Sequence, residues 1–202
     1  MGSEPGASDP SGPEAVRAAM AAQPRAGFLP RSVRRRAGHD GPLDIGHGQT
    51  NSQPRTVQAM LELLDVRPGQ RVLDVGSGSG WSTALLAELV GPAGSVLGLE
   101  LVADLVQMGA SNVARAAVPW ATVRQADPVR LGAPDEAPFD RILVSAMADA
   151  MPHELVAQLG PHGILVVPVA GWMLRACRDA AAPGGVVVTR HGAYRFVPLV
   201  TS

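Results

Sequence analysis

Between residues 71 and 169, short apolar runs alternate with longer stretches whose apolar residues recur at helical spacing. No other feature limits the fold as much. Strands are expected over 71–75, 95–100, 121–126, 141–146 and 164–169, with helices over 81–90, 101–117 and 152–159 between them. Gly109 weakens the second of these helices. A further helix should begin at Pro54, where a missing N–H costs nothing, and run through Val57, Met60, Leu61 and Leu64 until Pro68-Gly69 stops it. Short strands joined by helical crossovers imply an α/β fold, a doubly wound and mostly parallel sheet covered on both faces. The alternation breaks near the C-terminus. Segments 172–178, 185–190 and 194–200 read as three strands without helices, expected as an antiparallel edge of the same sheet.

The N-terminal quarter reads differently. Residues 1–13 are Gly, Ser, Pro, Glu and Asp with little that is apolar, and a disordered tail is expected. A short helix over 14–22 should end before Pro24. Segment 28–50, rich in Gly, Pro and Arg, reads as an extended lid, so 14–53 forms a helix and lid ahead of a core domain over 54–202. Neither an internal repeat nor a second domain is visible.

Charge and cysteine usage narrow the class. Net charge is −1, so nothing global attracts nucleic acid or an anionic membrane, and neither is expected as a partner. No apolar run approaches the roughly 18 residues of a membrane span. The first residues lack a secretory signal pattern, and the lone Cys177 cannot form an internal disulfide, so a cytoplasmic monomer is expected. Arg31, Arg34, Arg35 and Arg36 make one basic run, read as a solvated face or as a dock for an acidic peptide. His39, His153, His162 and His191 show no metal-ligand spacing, and no metal is expected.

The turn Asp74-Val75-Gly76-Ser77-Gly78-Ser79-Gly80 follows the first core strand. Its glycines let backbone approach a ligand where a Cβ would clash. Even spacing breaks the dinucleotide pattern, whose third glycine comes one residue later. Asp74 would repel a pyrophosphate but could meet an ammonium. Glu100 ends the second strand, some 20 residues on, and suits ribose hydroxyls. Asp127 ends the third and is placed for an adenine edge. An adenosine carrying an amino acid and no phosphate matches this set, which describes S-adenosylmethionine. Gly76, Ser77, Gly78, Gly80, Asp74, Glu100 and Asp127 are therefore the expected cofactor residues, in a pattern that resembles class I (Rossmann-like) methyltransferases.

A longer stretch narrows the acceptor. Phe28-Leu29-Pro30 and the run from Ala37 to Pro54, which contains Ile45-Gly46-His47-Gly48-Gln49-Thr50-Asn51-Ser52-Gln53-Pro54, strongly resemble the protein-L-isoaspartate O-methyltransferase family. So do the run 137–144, Val167-Pro168-Val169 and Arg195-Phe196-Val197-Pro198-Leu199. The resemblance covers roughly residues 28 to 200 and implies methyl transfer to the free carboxylate of an L-isoaspartyl residue in a protein or peptide. Ser52 holds the family's catalytic serine position. Gln49 and Thr50 would shape the junction of cofactor and substrate, with Ile45, Gly46, His47, Asn51 and Val169 on the substrate side.

A carboxylate with an ordinary pKa near 4 is already ionised at neutral pH, so it needs placement and not a base. Ser52 is expected to orient it, although the same residue could cap the helix at Pro54. His47, flanked by glycines, is expected in a bending loop. Several positions depart from the family pattern: Asn51 replaces an apolar residue, Asp44 a proline, Gly38 a tyrosine and Pro128 a glycine, while Met147 and Asp149 interrupt an alanine-rich loop. These fall in loops expected around the substrate. A methyltransferase dedicated to the aspartate of a ribosomally made precursor peptide is the alternative enzyme, and a non-catalytic cofactor-binding protein the second alternative.

Overall fold

Seven strands hydrogen-bond in the order β5-β4-β3-β6-β7-β8-β9 among the residues described by the computed structural model, which are 12–199. In chain order the elements are α1 (Pro13–Ala22), β1 (Leu43–Gly46), β2 (Gln49–Asn51), α2 (Pro54–Leu64), β3 (Arg71–Val75), α3 (Trp81–Val90) and β4 (Ser95–Glu100). There follow α4 (Ala103–Arg115), β5 (Ala121–Gln125), β6 (Phe139–Val144), α5 (His153–Ala157), β7 (Leu159–Val169), β8 (Trp172–Arg178) and β9 (Val186–Ala193). Strands β3 to β7 pair in parallel, whereas β8 and β9 are antiparallel. The expected fold class holds. The disordered tail expected over 1–13 lies largely outside the described residues.

The strands sort their side chains by alternation. Val72, Val96, Leu143, Ile164 and Val166 face one core with α1, α2, α3 and part of α4. That core takes Val57, Met60, Leu61 and Leu64 of α2, the apolar face expected from the sequence. Burying each such side chain contributes roughly 1.5–3 kcal/mol. Leu73, Val75, Ile142, Val144, Leu165 and Val167 face the second core, closed by α5 through Leu155 and by loop residues Leu131, Ala133 and Leu199. Cover is therefore helical on one face and mostly irregular on the other.

Three expectations change. Segment 28–50 is not wholly irregular, because β1 and β2 form a small antiparallel hairpin whose turn has His47 and Gly48 at positive φ. Strand β7 begins at Leu159, five residues early, with a bulge against β6. The strand expected over 194–200 does not form. Its described part, through Leu199, leaves the sheet and crosses to Met147, whose N–H donates to Val197 O and whose carbonyl accepts from Leu199 N, both at 2.7 Å. Pro198 between them has no N–H to extend a ladder.

Strand order reverses between β4 and β6, on either side of β3. In open sheets of this kind ligands sit beyond the carboxyl ends of the strands at that crevice.

Candidate active site

The turn after β3 is built by close packing. Gly80 has φ 82°, and a Cβ there would lie 2.8 Å from Gly109 O. A Cβ on Gly109 would in turn lie 2.9 Å from Gly78 O. The glycine that weakens α4 as a helix former is thus the one that lets α4 seat the turn. Glu100, buried at the end of β4, accepts from Gly78 N at 2.9 Å and from Val102 N at 3.0 Å, which fixes its carboxylate at the rim.

A cavity of about 540 Å³ opens at this crevice. Gly76, Ser77, Gly78 and Ser79 form its base, Glu100 and Asp127 one side, and Gln49 to Ser52 another. Ser145 and Ala146 after β6 and Val197 to Leu199 of the tail complete it. Of the residues expected at the site, Ser52, Gln49, Thr50, Gly76, Ser77, Gly78, Glu100, Asp127, Ile45 and Asn51 all reach this wall.

Asp74, Gly80, Gly46, His47 and Val169 do not reach it, each for a visible reason. Asp74 is fully buried beneath the turn, where one carboxylate oxygen accepts from Ser82 Oγ and Thr83 Oγ1, both at 2.7 Å. Burial raises its pKa to about 6 against the opposing pull of the two hydroxyls, and the charge of Glu100 pushes the same way as burial. Gly80 packs on α4. Gly46 and His47 form the hairpin tip, which points at α4: His47 Nε2 lies 3.1 Å from Asp104 Oδ2. Val169 is committed to the sheet opposite Trp172 and to a bridge with Ala148. Ser52 caps nothing. The N-cap of α2 is Gln53, without a side-chain cap.

Asn51 was expected against substrate, and it has a second set of contacts. It is buried, accepts from Arg25 Nε at 2.6 Å and donates to Ser79 Oγ at 3.0 Å. Arg25 lies outside the basic run at 31–36, the cluster that stands out in the sequence. Its signal was a lone cation between Pro24 and the buried pair Phe28-Leu29. The tail residues Val197 and Leu199 were also missed as site residues, being read as sheet.

The set of acceptors suits a cationic adenosine better than a pyrophosphate. Glu100, Asp127 and Glu154 line the cavity, and Arg130, the cation among its lining residues, is held bidentately by Asp135 at 2.8 Å. Ser77 Oγ and Asp74 Oδ1 are buried and have no hydrogen-bond partner among the described residues. Ser77, on the cavity wall, could serve a polar ligand there.

Fold and site together define a class I methyltransferase. The family model described as protein-L-isoaspartate(D-aspartate) O-methyltransferase matches residues 11–202, and the chain belongs to that family. It is 42% identical over 192 residues to the protein-L-isoaspartate O-methyltransferase of Methanopyrus kandleri, covering 92% of this chain and 83% of that one. A solved protein-L-isoaspartate O-methyltransferase superposes with a TM-score of 0.82 at 24% identity, over 92% of this chain but 61% of the other. A putative protein-L-isoaspartate O-methyltransferase from Plasmodium falciparum, in complex with S-adenosyl-L-homocysteine, has a TM-score of 0.76 at 26% identity, covering 92% and 90%. Among the described residues, no helix is long and apolar enough to cross a membrane.

Proposed function

We propose that this chain transfers a methyl group from S-adenosylmethionine to the carboxylate of L-isoaspartyl residues in proteins or peptides. The observation that carries this is the meeting of the glycine turn, Glu100 and Ser52 on one cavity. When bound, the cofactor supplies an electrophilic methyl on a sulfonium. Glu100 would hold the ribose, Asp127 the adenine edge, and Gly76 to Gly78 the amino-acid portion. Asp74 would act from below, through the turn and through its charge.

The chain's own task is placement. One carboxylate oxygen forms a bond to the methyl carbon while the carbon–sulfur bond breaks, its electron pair staying on sulfur. No proton moves, so no general base is required. Ser52, whose hydroxyl caps no helix, would donate to the carboxylate and orient it without quenching its charge. Ile45, Gln49 and Thr50 would exclude water from the junction. The ester then closes on the neighbouring backbone nitrogen, expels methanol and leaves a succinimide, which can open to normal aspartate.

The test uses labelled S-adenosylmethionine and matched peptides carrying isoaspartate, aspartate or asparagine at one position. Base-labile label on the isoaspartyl peptide alone is expected. Label on an ordinary aspartyl peptide, or on none, overturns the proposal.

A further inference from the structure

Arg25 carries its charge into the interior with only 5% exposure, yet no carboxylate of the described residues lies within ion-pair distance. Carbonyls surround it instead. Nη1 donates to His39 O, and Nη2 to Gly41 O, Asn51 O and Ser52 O, each at 2.9 Å. Nε donates to Asn51 Oδ1. The guanidinium plane also lies over Trp81, the first residue of α3, at 5.7 Å from the ring centroid. Burial lowers its pKa, partly offset by Asp40.

Two of these acceptors flank or belong to the serine expected to orient the substrate. The Asn51 side chain then turns outward from Arg25 and grips Ser79 Oγ in the glycine turn. Ser79 is anchored in turn, its carbonyl accepting from Asn112 Nδ2 of α4 at 2.7 Å. A continuous set of hydrogen bonds therefore runs from the 39–41 loop through Arg25 and Asn51 to the cofactor-side turn. Ser52 is tied to it by its own backbone.

We infer that Arg25 and Asn51 are positioning residues that set the distance between Ser52 and the glycine turn, and so align the acceptor carboxylate with the donor methyl. This rests on the methyl-transfer proposal above. A nucleophile that is already ionised gains nothing from a base, which leaves alignment as the quantity the protein controls. A lysine at position 25 could not span these acceptors, since an ammonium lacks the planar fork.

The experiment compares Asn51→Leu with Asn51→Asp, measuring turnover per cofactor-loaded molecule at saturating isoaspartyl peptide, with loading read by S-adenosylhomocysteine binding. Misalignment of this kind should lower kcat of Asn51→Leu about tenfold to a hundredfold, while loaded fraction and cofactor affinity stay within about twofold of native. Asn51→Asp keeps an acceptor for Arg25 and can accept from a rotated Ser79 hydroxyl, so it should recover most of the turnover. Native turnover per loaded Asn51→Leu molecule overturns the inference, as does an Asn51→Asp variant no better than Asn51→Leu. If the native chain methylates no isoaspartyl peptide, the proposed function fails by itself. The brace is then judged by hydrogen exchange of amides 49–53 in the ligand-loaded chain. Faster exchange in Asn51→Leu supports it, and unchanged exchange overturns it.

Discussion

Asp74 and Ser52 show how differently two polar residues near one cavity are placed. Asp74 lies where water does not reach, and its folded carboxyl holds a proton up to about pH 6 against 3.8 for the ordinary group. Across that window the folded state binds more protons than the unfolded one, so stability falls as pH rises from about 4 to 6. At 1.36 kcal/mol per pKa unit, the loss above that window is roughly 3 kcal/mol. Asp74→Asn keeps an acceptor for Ser82 and Thr83 without the buried charge. Without ligand, the Asp74→Asn variant should melt several degrees above native at pH 7.5, the gap closing toward pH 4. Thermal melts across that range decide it, and equal midpoints at pH 7.5 would remove the stored charge from the account. Ser52 is placed at a cavity and caps no helix, so its removal should leave the fold alone. Ser52→Ala should lose about a hundredfold in kcat with unchanged cofactor affinity, as expected when the acceptor carboxylate is bound but no longer aligned with the methyl group. Steady-state kinetics beside a binding titration separates that outcome from a general loss.

At the scale of elements, the contact between α4 and the glycine turn opposes two known effects. Replacing a helix-interior glycine with alanine normally gains about 1 kcal/mol through backbone propensity. At Gly109 the new Cβ would meet Gly78 O at 2.9 Å, a backbone atom that can retreat only by moving the glycine turn. Overpacking of this kind typically costs roughly 1–3 kcal/mol, so the clash should win. Gly109→Ala is expected to lower the melting temperature by a few degrees and to weaken S-adenosylhomocysteine binding together with it. A stabilised variant with native affinity would show that the turn yields freely. The hairpin of β1 and β2 also meets this helix through His47 and Asp104, both substantially exposed, and surface pairs of that type contribute at most about 1 kcal/mol. Asp104→Asn should therefore change cofactor affinity by less than about fivefold, because the buried Ile45 beside Gly78 also packs the hairpin onto the glycine turn. A larger change, read by titration, would make the His47–Asp104 contact the main support of the hairpin.

Across the whole molecule, what could be read from the sequence depended on whether a residue's partner is local. The strands 71–75 and 95–100 and the helix 81–90 matched their expected bounds because apolar period, turn glycines and length agree within each segment. The place of the candidate site followed from strand alternation, since topology puts Gly76, Glu100 and Asp127 at one sheet end, where they line one cavity. Arg25 could not be found this way: its six acceptors come from residues 37–52, and nothing near it in sequence announces them. The tail departs from its expected strand for a similar reason. Residues 194–199 alternate like a strand, but their ladder partner is the lone Met147, and Val197 and Leu199 spend their apolar side chains on the cavity wall. If that wall holds a ligand, the effect should appear as linkage. A ligand at a hundred times its Kd stabilises the folded state by about 2.7 kcal/mol, and at ten times by about 1.4. Changing Val197 and Leu199 together to alanine keeps the backbone bonds to Met147 and removes only side-chain surface. The double variant should bind S-adenosylhomocysteine about tenfold more weakly, at about 1.4 kcal/mol per factor of ten. At a fixed ligand concentration of about a hundred native Kd, the ligand-induced rise in melting temperature should then fall to about half. An undiminished rise would mean that the tail borders the cavity without contributing to binding, and that Gly76, Ser77 and Glu100 hold the ligand from the sheet side alone.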